Sequence, residues 1–295
     1  MMKEIVIISG KGGTGKTSLT ASFAVLGGQD IVAADCDVDA ADMHLLLQPD
    51  QGRSEEFFSG QLAEIDPDIC TQCGACVTIC RYNAISVIDG KHQVKPLDCE
   101  GCGYCARICP VNAISNIDNN VGQWLISEIK TGSKMVHASM KVGAENSGKL
   151  VAKVKKEANI IAQNENKSFI IVDGSPGVGC PVVSSLSGAD YVVFVTEPTV
   201  SGLHDLKRVF ELVDKFKIPS GCIINKADLN NDKNDEIRTF LNDMRIDHII
   251  DLPYDESFTK AMTQGKTIVE YAKSEIGSIV EKSWNMIKKR IIELN

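Results

Sequence analysis

The chain of 295 residues contains no apolar run that approaches the ~20 residues a membrane-spanning helix needs. It also lacks an excess of positive charge, because 39 Asp and Glu outnumber 31 Lys and Arg, for a net charge of −8. Nucleic-acid binding needs clustered basic residues, so no DNA-coating surface is expected. No secretory segment is recognised, and we expect a cytoplasmic protein without stable membrane insertion. The five histidines are scattered, and none is assigned to a metal.

Residues 10–19 contain a glycine-rich phosphate-binding motif, G-x-x-x-x-G-K-T. A predicted strand over 4–9 precedes it and a predicted helix over 19–26 follows, the context that separates a real site from an empty glycine turn. Backbone N–H groups and the helix N-terminus are expected to bind a nucleoside triphosphate. Lys16 is expected to reach the terminal phosphates, and Thr17 to hold Mg²⁺. The predicted loop residues are Gly12, Gly13, Thr14, Gly15, Lys16, Thr17 and Ser18.

Eight of the eleven cysteines form two copies of the pattern C-x-x-C-x-x-C-x-x-x-C, each followed by the tail N-A-I-S. This is the spacing of a bacterial two-cluster ferredoxin, in which three thiolates of one repeat and one of the other bind each [4Fe–4S] cluster. The first predicted ligand set is Cys70, Cys73, Cys76 and Cys109. The second predicted ligand set is Cys80, Cys99, Cys102 and Cys105.

Zinc sites and disulfides are the alternatives for these cysteines. Two copies of a three-plus-one pattern favour clusters over paired C-x-x-C zinc sites, and the expected compartment disfavours disulfides. Pro110 follows Cys109 as in ferredoxins, whereas Arg81 follows Cys80. This departure places a charged donor near one cluster and could separate the two reduction potentials.

Strands and helices alternate through most of the remaining sequence, which predicts an α/β fold with a doubly wound, mostly parallel sheet. A predicted strand over 31–34 ends in the acidic segment 35–39, and another over 169–173 closes on Asp173 before a glycine turn. Open α/β sheets place their chemistry at the carboxyl ends of strands. We therefore expect Asp173 to lie across from Thr17 and to support Mg²⁺.

The cysteine repeat interrupts the nucleotide-binding domain. We predict a P-loop domain formed by 1–61 and 120–295, with a small α+β ferredoxin domain inserted at 62–119. The polar segment 49–60 before the insert is predicted to be turn-rich. Residues 64–118 contain seven acidic and four basic side chains, so a redox partner is expected to present a basic docking patch.

Lys11 inside the loop, the acidic pair Asp35 and Asp37, and the motif D-G-S-P-G at 173–177 resemble the MinD/ParA ATPases, which have a deviant Walker A motif. The chain is most similar to members of that superfamily that contain an inserted ferredoxin domain, and the resemblance covers essentially the whole chain. Mrp-type iron–sulfur carriers and the nitrogenase iron protein are related. The resemblance implies an ATP-dependent homodimer that closes on two ATP molecules.

The resemblance also implies residue roles. Lys11 and Lys16 would bind phosphates, Lys11 across the dimer, and Asp37 would position the attacking water. Asp35 and Asp173 would support Mg²⁺ together with Thr17.

The same resemblance places adenine against Asn225 and the Pro253 loop. The tetrad at 225–228 is also similar to the N-K-x-D base-recognition loop, although Asn and Asp favour plain turns as well.

Two further features leave alternatives open. Cys180-Pro181 lacks the second cysteine of the C-P-x-C motif of Mrp-type carriers, so Cys180 is either a thiol that meets its copy at a two-fold axis or a small buried thiol. The C-terminal stretch 276–291 carries an apolar stripe with basic residues nearby. Packing on the sheet is favoured over the membrane-binding helix of some relatives.

Three functions remain open. ATP-gated electron transfer to a protein acceptor is favoured because ferredoxin-type clusters are retained relays. ATP-dependent assembly or delivery of iron–sulfur or other metal cofactors fits the Mrp-like kinship, but the missing C-P-x-C motif opposes it. A ParA-like redox switch that binds a partner is the third. We expect an ATPase that couples hydrolysis to iron–sulfur redox work, with ATP, Mg²⁺ and two [4Fe–4S] clusters as cofactors.

Overall fold

The computed structural model describes residues 2–144, 147–271 and 275–294. The chain folds as two compact units. The first unit comprises Met1–Glu55, Trp124–Ser139 and Ser147–Asn295, and the second comprises Glu56–Gln123 and Met140–Asn146. The segment 62–119 lies within the second unit; its role as a ferredoxin domain and its boundaries stay predictions.

The elements are named in chain order. The strands are β1 Lys3–Ile8, β2 Ile31–Asp35, β3 Arg53–Ile65, β4 Ile85–Ile88, β5 Lys91–Val94, β6 Ile114–Glu128, β7 Lys134–Met140, β8 Phe169–Asp173, β9 Tyr191–Thr196, β10 Ser220–Asn225 and β11 Asp247–Leu252. The α-helices are α1 Lys16–Gly27, α2 Met43–Leu47, α3 Ala75–Ile79, α4 Tyr104–Ile108, α5 Ser147–Asn164, α6 Cys180–Leu186, α7 Val200–Phe216, α8 Asn231–Asp243, α9 Ser257–Thr263, α10 Ile268–Tyr271 and α11 Glu275–Glu293. Two 3₁₀ turns cover Gly28–Asp30 and Pro96–Asp98.

Nine strands of the described chain form one sheet in the order β11-β10-β9-β1-β8-β2-β7-β6-β3. The strand pairs from β11 to β7 are parallel. Strands β1, β2, β8 and β9 are almost wholly buried apolar runs, as expected for parallel strands covered on both faces. The predicted α/β fold with a mostly parallel sheet is confirmed.

The C-terminal helix α11 packs into the core of the first unit. Its apolar stripe, including Val280, Trp284 and Ile287, is buried, and the Trp284 ring stacks on Phe23 with centroids 5.6 Å apart. The stripe therefore serves core packing, as favoured from the sequence. Among the described helices, none is long and apolar enough to cross a membrane.

The turn-rich structure predicted for 49–60 is wrong over most of that segment, because β3 occupies Arg53–Ile65. This strand is the last in the sheet order, and most of its side chains are exposed or only half-buried. An edge strand forms through backbone pairing and does not need many apolar side chains, so its amino-acid composition can be typical of a loop.

Candidate functional site

The chemistry-bearing residues of the first unit lie at one edge of its sheet, because parallel strands end at the same edge. Asp35 ends β2, Asp173 ends β8, and the parallel register pairs these two residues directly. Strand β1 pairs with β8 on one side and β9 on the other. The loop after β1 therefore emerges between Asp173 and Glu197, which follows β9.

The glycine-rich loop is fixed from outside by the residues at the end of β10. Asn225 Nδ2 donates to the Thr14 carbonyl at 2.8 Å, and Lys226 Nζ donates to the Gly13 carbonyl at 3.3 Å. Gly15 has φ +92°, and a Cβ on it would lie 2.5 Å from Asn225 Nδ2. Only glycine suits this position. Helix α1 begins directly afterwards, so its unpaired N-terminal N–H groups form an anion-binding end.

Lys16 is a buried cation among carboxylates. Its Nζ lies 2.9 Å from Asp173 Oδ2 and 3.5 Å from Asp37 Oδ2, and the residue is 6% exposed. Burial alone would lower the pKa of Lys16, but the charges of Asp173 and Asp37 outweigh it and raise that pKa above its ordinary value. Lys16 is therefore held as an ammonium ion at the phosphate-binding loop.

The neighbouring oxygens form a cluster of hard ligands. Thr17 Oγ1 donates to Asp173 Oδ2 at 2.7 Å, and Thr20 Oγ1 donates to Asp173 Oδ1 at 2.8 Å. Asp35 is fully buried and accepts the Asp37 N–H at 3.1 Å. Burial, and then the nearby charge of Asp173, raise the pKa of Asp35 well above its ordinary value. A hydroxyl and two carboxylates so placed match the oxygen ligands that Mg²⁺ takes in proteins.

Lys11 forms an ion pair within its own chain, which the sequence did not suggest. Its Nζ lies 2.6 Å from Glu197 Oε1 and donates to Ser201 Oγ at 2.9 Å. The other oxygen of Glu197 lies 2.9 Å from Lys226 Nζ. Burial would raise the pKa of Glu197, but hydrogen bonds from Lys11 and Lys226 lower it below its ordinary value. The only sequence signal for Glu197 is its place directly after a buried strand.

The remaining predicted residues of this site are more scattered. Asn225 is buried against the loop, whereas Pro253 is exposed and follows β11. The backbone joins their segments, because the Ala227 N–H donates to the Leu252 carbonyl at 2.8 Å. Gly12 is exposed, and Ser18 lies on the outer side of α1, where its Oγ contacts Met262 Sδ at 3.5 Å.

In the second unit, the two cysteine repeats adopt the same backbone conformation. Gly74 and Gly103 have φ +76° and +67°, and each begins a five-residue helix. Three residues after the last cysteine of each repeat, Asn83 and Asn112 have φ +53° and +54°. The sequence repeat is therefore also a structural repeat.

Each predicted ligand set lines a cavity of its own. A cavity of about 420 Å³ is bordered by Cys80, Cys99, Cys102 and Cys105. A narrow one of about 20 Å³ is bordered by Cys70, Cys73, Cys76 and Cys109. Each cavity thus brings together three cysteines of one repeat and the last cysteine of the other. All eight thiols are free, and within the described residues no three His, Cys, Asp or Glu side chains converge to hold a single metal ion.

The three other cysteines differ in exposure. Cys36 and Cys222 are fully buried in strand regions of the first unit, and burial raises the pKa of both thiols. Cys180 is exposed at the first position of α6. The interpretation of Cys180 as a small buried thiol is therefore wrong.

A parallel sheet with a glycine-rich loop and a buried lysine at the carboxyl end of its central strand defines a P-loop nucleotide-binding protein. The chain belongs to the CobQ/CobB/MinD/ParA nucleotide-binding domain family, whose model CbiA matches residues 5–268. This membership confirms the predicted resemblance to the MinD/ParA family, whereas the inserted ferredoxin domain stays a prediction.

Two archaeal relatives match most of the chain. The uncharacterised protein MJ0578 of Methanocaldococcus jannaschii is 36% identical over 233 residues, covering 78% of this chain and 80% of the relative. The uncharacterised protein MJ0579 of the same organism is 26% identical over 294 residues, covering 97% and 99%.

Solved structures share the fold. The septum site-determining protein MinD of Pyrococcus horikoshii, in complex with Mg-ADP, aligns with a TM-score of 0.60 at 19% identity, covering 98% of this chain and 97% of that one. The cell division ATPase MinD of Pyrococcus furiosus has the same TM-score and identity, with 98% and 100% covered. At this identity the likeness concerns the fold alone.

Proposed function

We propose that this protein binds and hydrolyses ATP and couples nucleotide-driven dimer switching to electron transfer through two [4Fe–4S] clusters. The observation that carries the proposal is the pairing of a family nucleotide-binding domain with two cavities, each bordered by one cross-repeat set of four cysteines. Reduced thiols at all eight positions require a reducing compartment, which for this chain is proposed to be the cytoplasm.

The first unit supplies the groups for ATP hydrolysis. Lys16 would leave Asp173 and Asp37 to bind the terminal phosphates, and Asp37 would then be free to position the attacking water. Thr17, Asp35 and Asp173 would hold Mg²⁺, which neutralises phosphate charge when bound.

Adenine would lie against Asn225 and the Pro253 loop. Asn225 already contacts the phosphate-binding loop through Thr14, so a base bound there would be fixed relative to the phosphates. The Mg-ADP named for the Pyrococcus horikoshii neighbour supports an adenine nucleotide as the ligand.

The donor chemistry in the second unit suits clusters. In a [4Fe–4S] cluster each thiolate binds a different iron atom, so four cysteines surround the cluster instead of converging on one point. The ligand set that contains Cys99 borders the larger cavity, of about 420 Å³. In the other set, the Cys109 thiol already accepts a hydrogen bond from the Ala113 N–H at 3.3 Å. The narrow cavity has room for about one water molecule. Binding of a cluster there would require the four thiol side chains that border the cavity to move apart.

Dimer closure is proposed to depend on Lys11. Lys11 would exchange Glu197 for the phosphates bound by the partner subunit. The segments 35–39 and 174–179, which follow β2 and β8, would respond to the terminal phosphate and relax after hydrolysis.

The deciding experiment is anaerobic purification followed by iron and acid-labile sulfide assays and an ATPase assay. The proposal predicts about eight iron and eight sulfide per chain, four of each per cluster, with Mg²⁺-dependent ATP hydrolysis. Stoichiometric zinc without sulfide would overturn the redox part, and absence of hydrolysis would overturn the ATPase part.

A second candidate is a nucleotide-dependent switch whose output is binding a partner protein. It is favoured by a structural neighbour, the MinC:MinD cell division complex of Aquifex aeolicus, at TM-score 0.59 and 16% identity. In that case the clusters would sense redox state, and nucleotide would change partner affinity without changing the cluster potentials.

A further inference from the structure

His92 is a buried histidine in the second unit. It lies on β5, where Lys91 and Gln93 on either side are exposed, so the alternation of the strand turns His92 inward. The antiparallel hairpin pairs it with Val87 of β4. Its relative exposure is 9%.

The Nδ1 atom of His92 is buried and has no hydrogen-bond partner among the described residues. Buried polar nitrogens in proteins almost always have a partner, and one that lacks it indicates a missing group. The fold thus holds a polar ring where an aliphatic side chain would fit the core without an unmet hydrogen bond.

His92 borders the narrow cavity that Cys70, Cys73, Cys76 and Cys109 also border. The larger cavity differs from the narrow one in the residue that follows the last cysteine of a repeat. Arg81 is among its described lining residues, and at the position equivalent to Arg81 the narrow cavity has Pro110, which cannot donate a hydrogen bond. The two repeats therefore share cysteine spacing but not the polar groups beside the cysteines.

We propose that His92 donates its Nδ1–H to a sulfur of the cluster held by Cys70, Cys73, Cys76 and Cys109, and that this bond raises the reduction potential of that cluster. The inference rests on the proposed function. Reduction adds one electron and increases negative charge on the sulfurs, so a donor stabilises the reduced form more than the oxidised form. The proton stays on His92 throughout.

The test is an EPR-monitored titration with dithionite on the anaerobically purified full chain, with iron and sulfide counted in every sample. His92→Phe removes the donor and keeps a ring. His92→Asn keeps an N–H. Gln93→Leu changes the exposed neighbour on the same strand and is the matched control. The signal that Cys109→Ser perturbs identifies the cluster of interest.

His92→Phe is expected to keep the cluster content and to shift that one midpoint to lower potential by about 59 mV, a ten-fold change in the reduction equilibrium. His92→Asn should shift it less, and Gln93→Leu should shift neither midpoint. Intact clusters with unchanged midpoints in His92→Phe, or equal shifts of both clusters, would overturn the inference.

A second measurement does not depend on a substitution that could disturb folding. In wild-type protein labelled with ¹⁵N-histidine, pulsed EPR of the reduced protein should detect coupling between the cluster and a histidine nitrogen. Absence of that coupling, with clusters present, would overturn the role of His92. Absence of iron and sulfide from wild-type protein would instead overturn the proposed function itself.

Discussion

Glu197 holds Lys11 at 2.6 Å, and through its second oxygen it also holds Lys226 at 2.9 Å. Lys226 in turn binds the carbonyl of Gly13. The carboxylate therefore closes a ring that begins and ends in the phosphate-binding loop. For Lys11 to reach a partner subunit, this ring has to open.

Glu197→Gln should strengthen ATP-dependent dimerisation, because Lys11 would leave its own protomer more easily. The pair is partly exposed, so we expect an effect of about 1 kcal/mol, roughly a five-fold lower dissociation constant. Sedimentation with a non-hydrolysable ATP analogue measures it. Glu256→Gln, which breaks an exposed pair with Lys260, is the control. Weaker dimerisation of Glu197→Gln would contradict the role of the ring.

Lys16→Ala should reduce ATP hydrolysis by about two orders of magnitude or more, since it removes the cation nearest to the expected phosphates. The iron–sulfur absorbance should remain, because the second unit has a core of its own. Lys260→Ala, at an exposed site, should change neither property. Loss of both hydrolysis and absorbance in Lys16→Ala would mean that the two units do not act as separable modules.

Cys109→Ser should damage the cluster that Cys70, Cys73 and Cys76 also hold, and Cys102→Ser should damage the other. The reason is that the last cysteine of each repeat borders the cavity of the opposite repeat. EPR of the reduced variants distinguishes the two signals. If Cys109→Ser altered the same signal as Cys102→Ser, the cross-repeat ligand sets would be wrong.

The lowered pKa of Asp251 predicts how the stability of the folded protein depends on pH. Burial would raise its pKa, but hydrogen bonds from His248, Arg238 and Asn234 outweigh burial and lower it. A lowered pKa in the folded state gives stability that is fully present above the ordinary Asp value of about 3.9 and is lost progressively as pH falls from that value through the lower pKa of the folded state.

Asp251→Asn should therefore cost about 1–2 kcal/mol near pH 7 and less than half of that at about pH 2. Urea unfolding followed by tryptophan fluorescence measures this, since Trp124 and Trp284 both belong to the first unit. Asp235→Asn on the exposed side of α8 serves as the control. An equal loss at both pH values would show that packing, not charge, explains the effect.

The sequence predicted those features that depend on local pattern. The strand over 169–173 is confirmed to the residue, because buried parallel strands are short apolar runs. The repeated cysteine spacing also predicted which cysteines border one cavity, although their cluster ligation stays a prediction.

Features that depend on distant contacts could not be predicted. The bond between Lys11 and Glu197 arises because β9 pairs with β1, an adjacency that no local pattern encodes. Lys155 on α5 is buried and pairs with Glu4 of β1 at 2.6 Å, a contact between residues that lie far apart in the sequence. The sequence assigns no metal to His92 or to the other histidines, and only the tertiary structure reveals that His92 Nδ1 is buried without a partner.

The most direct test of the central claim is the reduction potential of each cluster without nucleotide, with ADP and with a non-hydrolysable ATP analogue, measured by EPR-monitored titration. We expect the ATP analogue to shift at least one midpoint by about 59 mV relative to ADP, a ten-fold change in the reduction equilibrium. If the midpoint of each cluster stayed the same in all three nucleotide states, the coupling of ATP to redox chemistry would be contradicted.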